Sequence, residues 1–351
     1  MTRIFIYEYV TGGGMLATPP DKLPPSLPRE GAAMLAALAA DFAAVPGVEV
    51  VAMRDDRVGV HAQVSGRQVF SGVTPEAERR QLRELAAACD WTIVIAPEIG
   101  GQLLDRCRMA IDCGGRLLGP DVEIVGLLAD KQRACEWLRD KNVPVPFGIP
   151  LAAGERLPAN FRWPAVLKPR DGAGSQGLRL VRELPALASA LEGLDTPARL
   201  EEYRPGIAAS VALLGGPAAR AMLTPCFQRI SADGWFSYQG GSLPLPGALE
   251  LRAIRLAEQV SAALPPWRGY LGIDLVLGPD PGGADDCVIE VNPRLTTSYV
   301  GLRVAYASNL ALAMLDIAEG RGFALVARGV QVQFTAAGPV TAQMQPEACQ
   351  V

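Results

Sequence analysis

Short apolar stretches alternate with longer amphipathic ones along the first third of the chain. The short stretches predict strands at residues 2–7, 48–53 and 91–96. The amphipathic stretches predict helices at residues 29–45, 75–89 and 103–112. Strands that alternate with helices are typical of a parallel sheet with helices on its faces. The pattern therefore predicts an α/β domain that ends near residue 120.

Beyond residue 160 the apolar stretches become short strands separated by turns. Strands are predicted at residues 165–168, 178–181, 199–203, 210–214 and 220–223. Helices are predicted at residues 129–138, 183–191 and 248–264, with Asp121 as an N-cap, and a mostly apolar stretch predicts one long helix at residues 299–319. Several strands without helices between them favour antiparallel sheets. An α+β region is therefore expected after the α/β domain.

A predicted hairpin carries the most informative polar residues. Residues 270–277 and 287–291 are apolar or β-branched, and a cluster of Pro, Asp and Gly separates them, which is typical of two antiparallel strands. Asp274, Glu290 and Asn292 interrupt this apolar pair. Residues two apart on a strand share a face, so three oxygen ligands converge if Asp274 lies opposite the other two. Such ligands suit Mg²⁺; the alternative is a polar strand face that meets water.

A glycine-rich loop follows Lys168 and contains Gly172, Gly174, Ser175 and Gly177. The glycines match G-x-G-x-x-G, but a strand follows them where the dinucleotide-binding motif requires a helix. Between two strands, such a loop is typical of a lid whose backbone N–H groups cover phosphates. The sequence contains no Walker A motif and no H-R-D or D-F-G motif of protein kinases.

A second glycine-rich loop, at residues 12–17, matches G-x-G-x-x-A directly after the first predicted strand. Five prolines follow within residues 19–28, so no helix can begin at the glycines and the match is discarded. What remains is a loop at a strand end that could contact a substrate.

Composition narrows the class of protein. The 351 residues include 33 basic and 37 acidic ones, a net charge of −4, without a basic stretch, so nucleic acid and anionic membranes are not expected partners. The apolar runs are too short for a bilayer span or a signal peptide, so a cytoplasmic location is expected. The seven cysteines lack C-x-x-C spacing and are expected to be reduced. The single histidine, His61, argues against histidine-based catalysis or zinc binding and is expected on a surface strand.

Four elements occur in a definite order: Lys131, Lys168 with its glycine-rich loop, the strand end Glu201-Glu202-Tyr203, and the hairpin that closes with Glu290-x-Asn292-x-Arg294. This order resembles the ATP-grasp superfamily, and the resemblance covers most of the chain. It implies an N-terminal α/β domain at residues 1–120, a small α+β lobe with the lid at residues 121–205, and a C-terminal α+β lobe with the hairpin at residues 206–351. The two lobes would clamp ATP between antiparallel sheets.

The resemblance also implies a role for each motif. Lys131 and Lys168 would neutralise the α- and β-phosphates under the lid, and the strand end would meet the adenine edge. The three hairpin ligands would hold two Mg²⁺ ions, with Mn²⁺ as a substitute. Arg294 would act with Lys168 on the transferring phosphoryl group. One departure is that Ala208 and Ala209 replace the acidic residue that contacts the ribose in many members of the family.

A closer likeness is to the tyramine–L-glutamate ligase group of methanofuran-type cofactor synthesis, and residues 6–14, 96–98, 209–215 and 292–299 carry it. It implies a ligase that joins glutamate to an aromatic amine such as tyramine or tyrosine through an acyl phosphate, with release of ADP and phosphate. The candidate substrate-binding residues are Glu8, Gly13, Glu98, Thr296, Thr297, Ser298 and Tyr299.

Other functions of the same fold stay open on the sequence alone. One is another amino-acid ligase, similar to D-alanine–D-alanine or peptide ligases. The others are a kinase and a nucleotide-binding regulatory protein, although the intact metal and arginine positions argue against the last. The expected partners are a small-molecule carboxylate and an amine, and a homodimer is the assembly to test.

Overall fold

The structure is a computed structural model that describes residues 1–23, 26–58, 64–151, 157–172, 176–192, 194 and 196–344. His61, Gly174 and Ser175 lie outside these residues, so the predictions made for them stay untested. Within the described residues, no helix has both the length and the apolar character that crossing a membrane requires.

The first sheet is parallel and confirms the predicted α/β architecture. Its strands are β1 (Thr2–Glu8), β2 (Val48–Arg54), β3 (Arg67–Phe70) and β4 (Trp91–Ile95), in the order β3-β2-β1-β4. Three helices accompany them: α1 (Ser26–Ala43), α2 (Pro75–Ala88) and α3 (Gln102–Asp112). Because β2 and β4 lie on opposite sides of β1, the loops that leave β1 and β4 border a crevice at the carboxyl ends of these strands. Crevices at such switch points are where open α/β sheets bind ligands.

Two short helices connect the first sheet to the second, α4 (Val122–Leu128) and α5 (Lys131–Asp140). Asp130 caps α5, since its side chain accepts hydrogen bonds from the N–H groups of Gln132 and Arg133. Asp121 stands at the N-cap of α4 as predicted but makes no side-chain capping bond. The cap at Asp130 therefore fixes the first residue of α5, which is Lys131.

The second sheet is antiparallel and consists of β5 (Gly148–Leu151), β6 (Ala165–Pro169), β7 (Arg179–Val181) and β8 (Ala198–Glu202), in the order β5-β8-β6-β7. A 3₁₀ turn at Leu184–Ala186 and the short helix α6 (Leu187–Leu191) replace the single helix predicted at residues 183–191. Pro185, which lacks an N–H group, lies in that first turn.

The third sheet is also antiparallel, with the order β14-β13-β9-β11-β12-β15-β16, and β10 pairs with β9. Its strands are β9 (Ile207–Gly215), β10 (Arg220–Met222), β11 (Cys226–Ile230), β12 (Tyr238–Leu243), β13 (Gly269–Leu277), β14 (Cys287–Asn292), β15 (Val330–Thr335) and β16 (Val340–Met344). The helix α7 (Gly247–Ala263) packs with β9 and β13 in one apolar core. The predicted β13–β14 hairpin is confirmed.

The single helix predicted at residues 299–319 is wrong. The structure has two helices there, α8 (Ser298–Ala305) and α9 (Leu310–Ala318). Tyr306 leaves the helix to bridge Ala327, and the Asn309 side chain accepts a hydrogen bond from the Leu312 N–H group, which caps α9. The break was missed because both helices are buried and mostly apolar, although Ser308 and Asn309 form a polar pair between them.

The three sheets follow one another along the chain, within residues 2–95, 148–202 and 207–344. The predicted boundaries near residues 120 and 205 fall between them. The division of the chain into three domains at those positions stays a prediction.

Candidate active site

The β13–β14 hairpin brings the three predicted metal ligands together. Asp274 pairs with Glu290 in the register, and the Asn292 side-chain amide donates a hydrogen bond to Asp274 Oδ2 at 3.1 Å. Gln228 of β11 donates from Nε2 to the other carboxylate oxygen of Asp274 at 2.7 Å. Both oxygens of Asp274 are therefore held by amides, and the three side chains lie close together, while their role as metal ligands stays a prediction.

The chemistry of this cluster fits a hard divalent cation. Burial and the neighbouring Glu290 carboxylate together raise the pKa of Asp274 to about 6, and the hydrogen bonds from Asn292 and Gln228 oppose that rise. Two carboxylates and one amide supply only oxygen ligands, as Mg²⁺ prefers. A cation between Asp274 and Glu290 would relieve their repulsion. Among the described residues, no group of three or more His, Cys, Asp or Glu side chains forms a metal site, so the Asn292 amide would have to complete this one.

Lys131 lies directly against the predicted metal ligands. Its Nζ atom is 2.6 Å from Glu290 Oε1 and also donates to the carbonyl oxygen of Gly172 at the base of the lid. Burial alone would lower the pKa of Lys131, but the carboxylates of Glu290 and Glu98 raise it above the ordinary value. The ammonium group therefore stays charged between the lid and the metal ligands.

Lys168 and Glu201 form a buried ion pair. Lys168 Nζ is 2.6 Å from Glu201 Oε1, and the side chain of Glu201 also accepts a hydrogen bond from Arg199 Nε at 2.9 Å. Both carboxylate oxygens of Glu201 are therefore engaged. The backbone N–H groups of Glu202 and Tyr203 donate to the carbonyls of Phe147 and Pro164. The prediction that this strand end meets adenine stays a prediction, and these N–H groups would be available to a base only if those bonds broke.

The base of the lid contacts the N-terminal domain. Gly100, in the loop after β4, donates its N–H to Asp171 Oδ2 at 2.9 Å. Gly177, at the far side of the lid, has φ +73°, and a Cβ there would lie 2.9 Å from Pro169 Cγ. A glycine is thus required at Gly177, while a Cβ at Gly172 would make only ordinary contacts.

Arg294 forms a bidentate ion pair with Glu98 from the crevice of the first sheet. Its Nε atom lies 2.8 Å from Glu98 Oε1, and its second nitrogen lies 3.1 Å from Oε2. Burial acts to lower the pKa of Arg294, whereas Glu98 raises it, and the balance is an increase. Arg294 and Glu98, predicted from separate patterns, therefore meet across two domains.

Glu8 ends β1 at the same crevice. Its carboxylate accepts hydrogen bonds from the N–H groups of Val10 and Thr11 and from the Thr11 hydroxyl. Burial raises the pKa of Glu8, an effect that these hydrogen bonds oppose. The backbone of Gly31 in α1 packs against the carboxylate so closely that a Cβ there would lie 2.5 Å from it.

The remaining substrate candidates divide into two groups. The hydroxyls of Thr296 and Ser298 lie 2.8 Å from each other and 3.0 and 3.1 Å from the Tyr270 hydroxyl, which forms a hydroxyl cluster beyond the metal strand. Thr297 lies near Tyr238, whose pKa is raised by burial, and its side chain acts against that rise.

The last two substrate candidates, Tyr299 and Gly13, are engaged in contacts inside the protein. The Tyr299 hydroxyl donates to Asp41 at 2.7 Å, and the side chain is fully buried. Gly13 has φ +97°, and a Cβ there would lie 2.6 Å from the Ser71 hydroxyl. Packing within the N-terminal domain therefore explains why residue 13 is a glycine. The Tyr299 hydroxyl already has a hydrogen-bond partner in α1.

Sequence reasoning missed Gln228 and Arg199. Arg199 lies two residues before Glu201 on the same strand, so both side chains share a face. That spacing was a readable signal. Gln228 gave no signal, because its contact with Asp274 depends on how β11 and β13 flank β9.

Two family models match the chain. Residues 128–298 match the ATP-grasp domain, and residues 48–125 match the pre ATP-grasp 3 domain. The matched residues make up more than two thirds of the chain. The first match includes both lysines, the lid and the hairpin.

Curated relatives match over part of their length. The arginine-specific large chain of carbamoyl phosphate synthase from Halalkalibacterium halodurans is 24% identical over 239 residues, 65% of this chain and 22% of that protein. An uncharacterized protein of Sinorhizobium fredii is 30% identical over 220 residues, 56% of this chain and 65% of that protein. This chain therefore spans less than two thirds of either relative.

The fold also matches solved structures. The L-amino acid ligase from Bacillus licheniformis superposes with a TM-score of 0.68 at 15% identity, covering 95% of this chain and 79% of that one. At this identity the likeness shows the fold, which agrees with the family models. The chain belongs to the ATP-grasp superfamily.

Proposed function

We propose that the protein is an ATP-dependent carboxylate–amine ligase that forms an amide through an acyl phosphate. One juxtaposition carries the proposal: Lys131 contacts Glu290, which faces Asp274, and Arg294 lies two residues beyond the same strand. Groups suited to phosphates, to Mg²⁺ and to a transferred phosphoryl group thus lie together. Phosphoryl transfer depends mainly on such positioning and charge neutralisation.

In the first step, a carboxylate oxygen of the substrate attacks the γ-phosphorus of ATP. The bond from that phosphorus to the bridging oxygen breaks, and ADP leaves. Lys131 and Lys168 would stabilise the charge on the phosphates, and Arg294 would hold the phosphoryl group or the attacking carboxylate. Mg²⁺, bound by Asp274, Glu290 and Asn292, would neutralise phosphate charge. The number of ions is proposed to be two, with Mn²⁺ as a substitute.

In the second step, the amine nitrogen attacks the acyl carbon. The carbon–oxygen bond to phosphate breaks, phosphate leaves, and the amine loses a proton. Glu8 and Glu98 border the crevice that faces Arg294, so they are the proposed groups that hold the ammonium form or accept its proton. The lid would exclude water, which would otherwise hydrolyse the acyl phosphate.

The finer proposal is glutamate as the carboxylate and an aromatic amine, tyramine or tyrosine, as the nucleophile. The hydroxyls of Thr296 and Ser298 support a polar substrate beside the metal strand. The carboxylates of Glu8 and Glu98 support an amine. The proposal of an aromatic amine rests on the family likeness alone. Tyr299 does not support it, because its hydroxyl is hydrogen-bonded to Asp41 inside the protein.

The test is a screen of carboxylate and amine pairs for ADP release, with the product identified by mass spectrometry. An amide formed only when both substrates are present supports the ligase, and Glu290→Gln should lower its turnover by about 100-fold or more. A phosphorylated product without an amide would establish a kinase instead. Nucleotide binding without turnover of any pair would favour a regulatory protein. If small amino acids react and tyramine and tyrosine do not, the aromatic proposal fails and the ligase proposal survives.

A further inference from the structure

A chain of buried polar contacts runs from Lys168, one of the two proposed phosphate-binding lysines, to Gln132, which follows the other, Lys131. Lys168 bonds to one oxygen of Glu201, and Arg199 bonds to the other. All three side chains are at most 4% exposed. Since a buried carboxylate takes its position from its partners, the location of the Lys168 ammonium group depends on Arg199 through Glu201.

The other nitrogens of Arg199 point to two further elements. One donates to the side-chain oxygen of Gln132 in the first turn of α5, and the other donates to the carbonyl oxygen of Pro146 at 3.1 Å. Gln132 is also held by Glu136, at 2.6 Å from its Nε2 atom. Because Gln132 follows Lys131 directly, the Arg199 guanidinium contacts the turn that carries the other phosphate lysine.

The surroundings of Arg199 are built for a guanidinium. A Cβ on Gly148 would lie 2.6 Å from a terminal nitrogen of Arg199, so the neighbouring strand needs a glycine there. A planar guanidinium can serve three acceptors in fixed directions, which a single ammonium group cannot do. The site therefore distinguishes Arg from Lys.

We propose that Arg199 is a positioning residue for the nucleotide phosphates. It fixes Glu201, and through it Lys168, and it fixes the first turn of α5 with Lys131. The inference rests on the proposed nucleotide site. In this proposal, the Glu201 carboxylate binds Lys168 and Arg199 rather than the amino group of adenine.

This role makes a specific demand on affinity. A residue that acts through the two lysines must affect the affinity only for ligands that carry phosphates. Affinity for ATP and ADP should therefore fall when Arg199 is changed, and affinity for adenosine should stay the same. A residue needed only for the fold would weaken all three ligands together.

The test measures dissociation constants for ATP, ADP and adenosine by calorimetry with Mg²⁺ present. Arg199→Lys keeps the charge and should weaken ATP and ADP about 10- to 100-fold, the size expected when a hydrogen bond to a charged group is lost. Arg139→Lys, on the exposed side of α5, is the matched control and should change nothing. Gln132→Ala, which leaves the bond from Arg199 to Glu201 in place, should have a smaller effect than Arg199→Lys.

A double-substitution cycle sharpens the test. In a Lys168→Met background, Arg199→Lys should cost less ATP affinity than it does in the wild type, because part of its effect passes through Lys168. Equal losses for adenosine and ADP, or unchanged ATP affinity in folded Arg199→Lys, would overturn the inference. Wild-type protein that binds no ADP would overturn the proposed function, and this inference with it.

Discussion

Asp274 illustrates how one residue's charge depends on its neighbours. Its raised pKa means that, between its ordinary value of 3.8 and about 6, the folded protein holds a proton that the unfolded chain releases. The stabilising effect of that proton is full below about pH 4 and is lost as the pH rises through about 6. A bound divalent cation would offset this loss, because it compensates the ionised carboxylate.

We expect Asp274→Asn to become more stable relative to the wild type as the pH rises from 4 to 6.5 in buffer with EDTA. The variant lacks the buried charge that penalises the wild-type fold above the pKa. Urea unfolding at several pH values measures the difference in the free energy of unfolding. Adding Mg²⁺ at pH 7 should stabilise the wild type and not the variant. A difference that does not change with pH would contradict this account of Asp274.

Gly31 lowers the intrinsic stability of α1 but leaves room for the Glu8 carboxylate. Alanine is favoured over glycine inside a helix by about 1 kcal/mol, yet a Cβ at Gly31 would collide with the Glu8 carboxylate. We expect Gly31→Ala to lower the free energy of unfolding by about 1–3 kcal/mol, as overpacking does.

Gly126 in α4 is the matched control for Gly31. A Cβ there would meet only the Leu104 side chain, at 3.6 Å or more. We expect Gly126→Ala to leave stability unchanged or to raise it by up to about 1 kcal/mol. Equal effects of the two substitutions in chemical unfolding would show that Gly31 does not pack against Glu8 as described.

At the scale of elements, the lid should respond to nucleotide. Arg170 at its base pairs with Asp130 and offers a trypsin site beside the loop. With Mg²⁺ and ADP at ten times the dissociation constant, cleavage after Arg170 should slow about tenfold, since only free protein opens. Lys168→Ala should lose this protection at the same ADP concentration. Cleavage after exposed Arg328 is the internal control, and equal slowing at both sites would contradict a local lid.

The elements also show what sequence can and cannot predict. The hairpin was predictable because turn residues mark its centre and polar residues break an otherwise apolar pattern. The break between α8 and α9 was overlooked, because the apolar residues on both sides of it suggested one buried helix, although Asn309 is a common type of N-cap residue. The spacing of Arg199 and Glu201 indicated a shared strand face, but the burial of Arg199 was not predictable, since it depends on α5 and on the segment before β5.

At the scale of the whole molecule, the site depends on how three sheets are arranged. The predicted ligands of one hairpin converge within one sheet, so their spacing along the chain sufficed. Glu98 and Arg294 are 196 positions apart, in the segments that follow β4 of the first sheet and β14 of the third sheet. No local pattern encodes such a contact. The family resemblance made both residues candidates for the site, and only the structure showed that they form an ion pair.

If the protein is the proposed ligase, that pair implies that its two substrates help each other to bind. A carboxylate that takes the Arg294 guanidinium displaces Glu98, which is 2% exposed and would be left as a buried charge without its cation. An amine that arrives as an ammonium ion restores the lost partner. The two substrates would thus replace the internal ion pair with two new ones, carboxylate with Arg294 and ammonium with Glu98. Each substrate would raise the affinity for the other by the same factor.

Equilibrium titration without ATP can measure this synergy. The dissociation constant of the carboxylate substrate should fall about 5- to 150-fold when the amine is saturating, the usual range of coupling between sites. Glu98→Gln, which has no charge to leave unpaired, should bind the carboxylate equally well with and without the amine. Independent binding in the wild type would contradict the exchange. If the exchange holds, the proposed ligase would use little ATP on a carboxylate that has no amine to receive it.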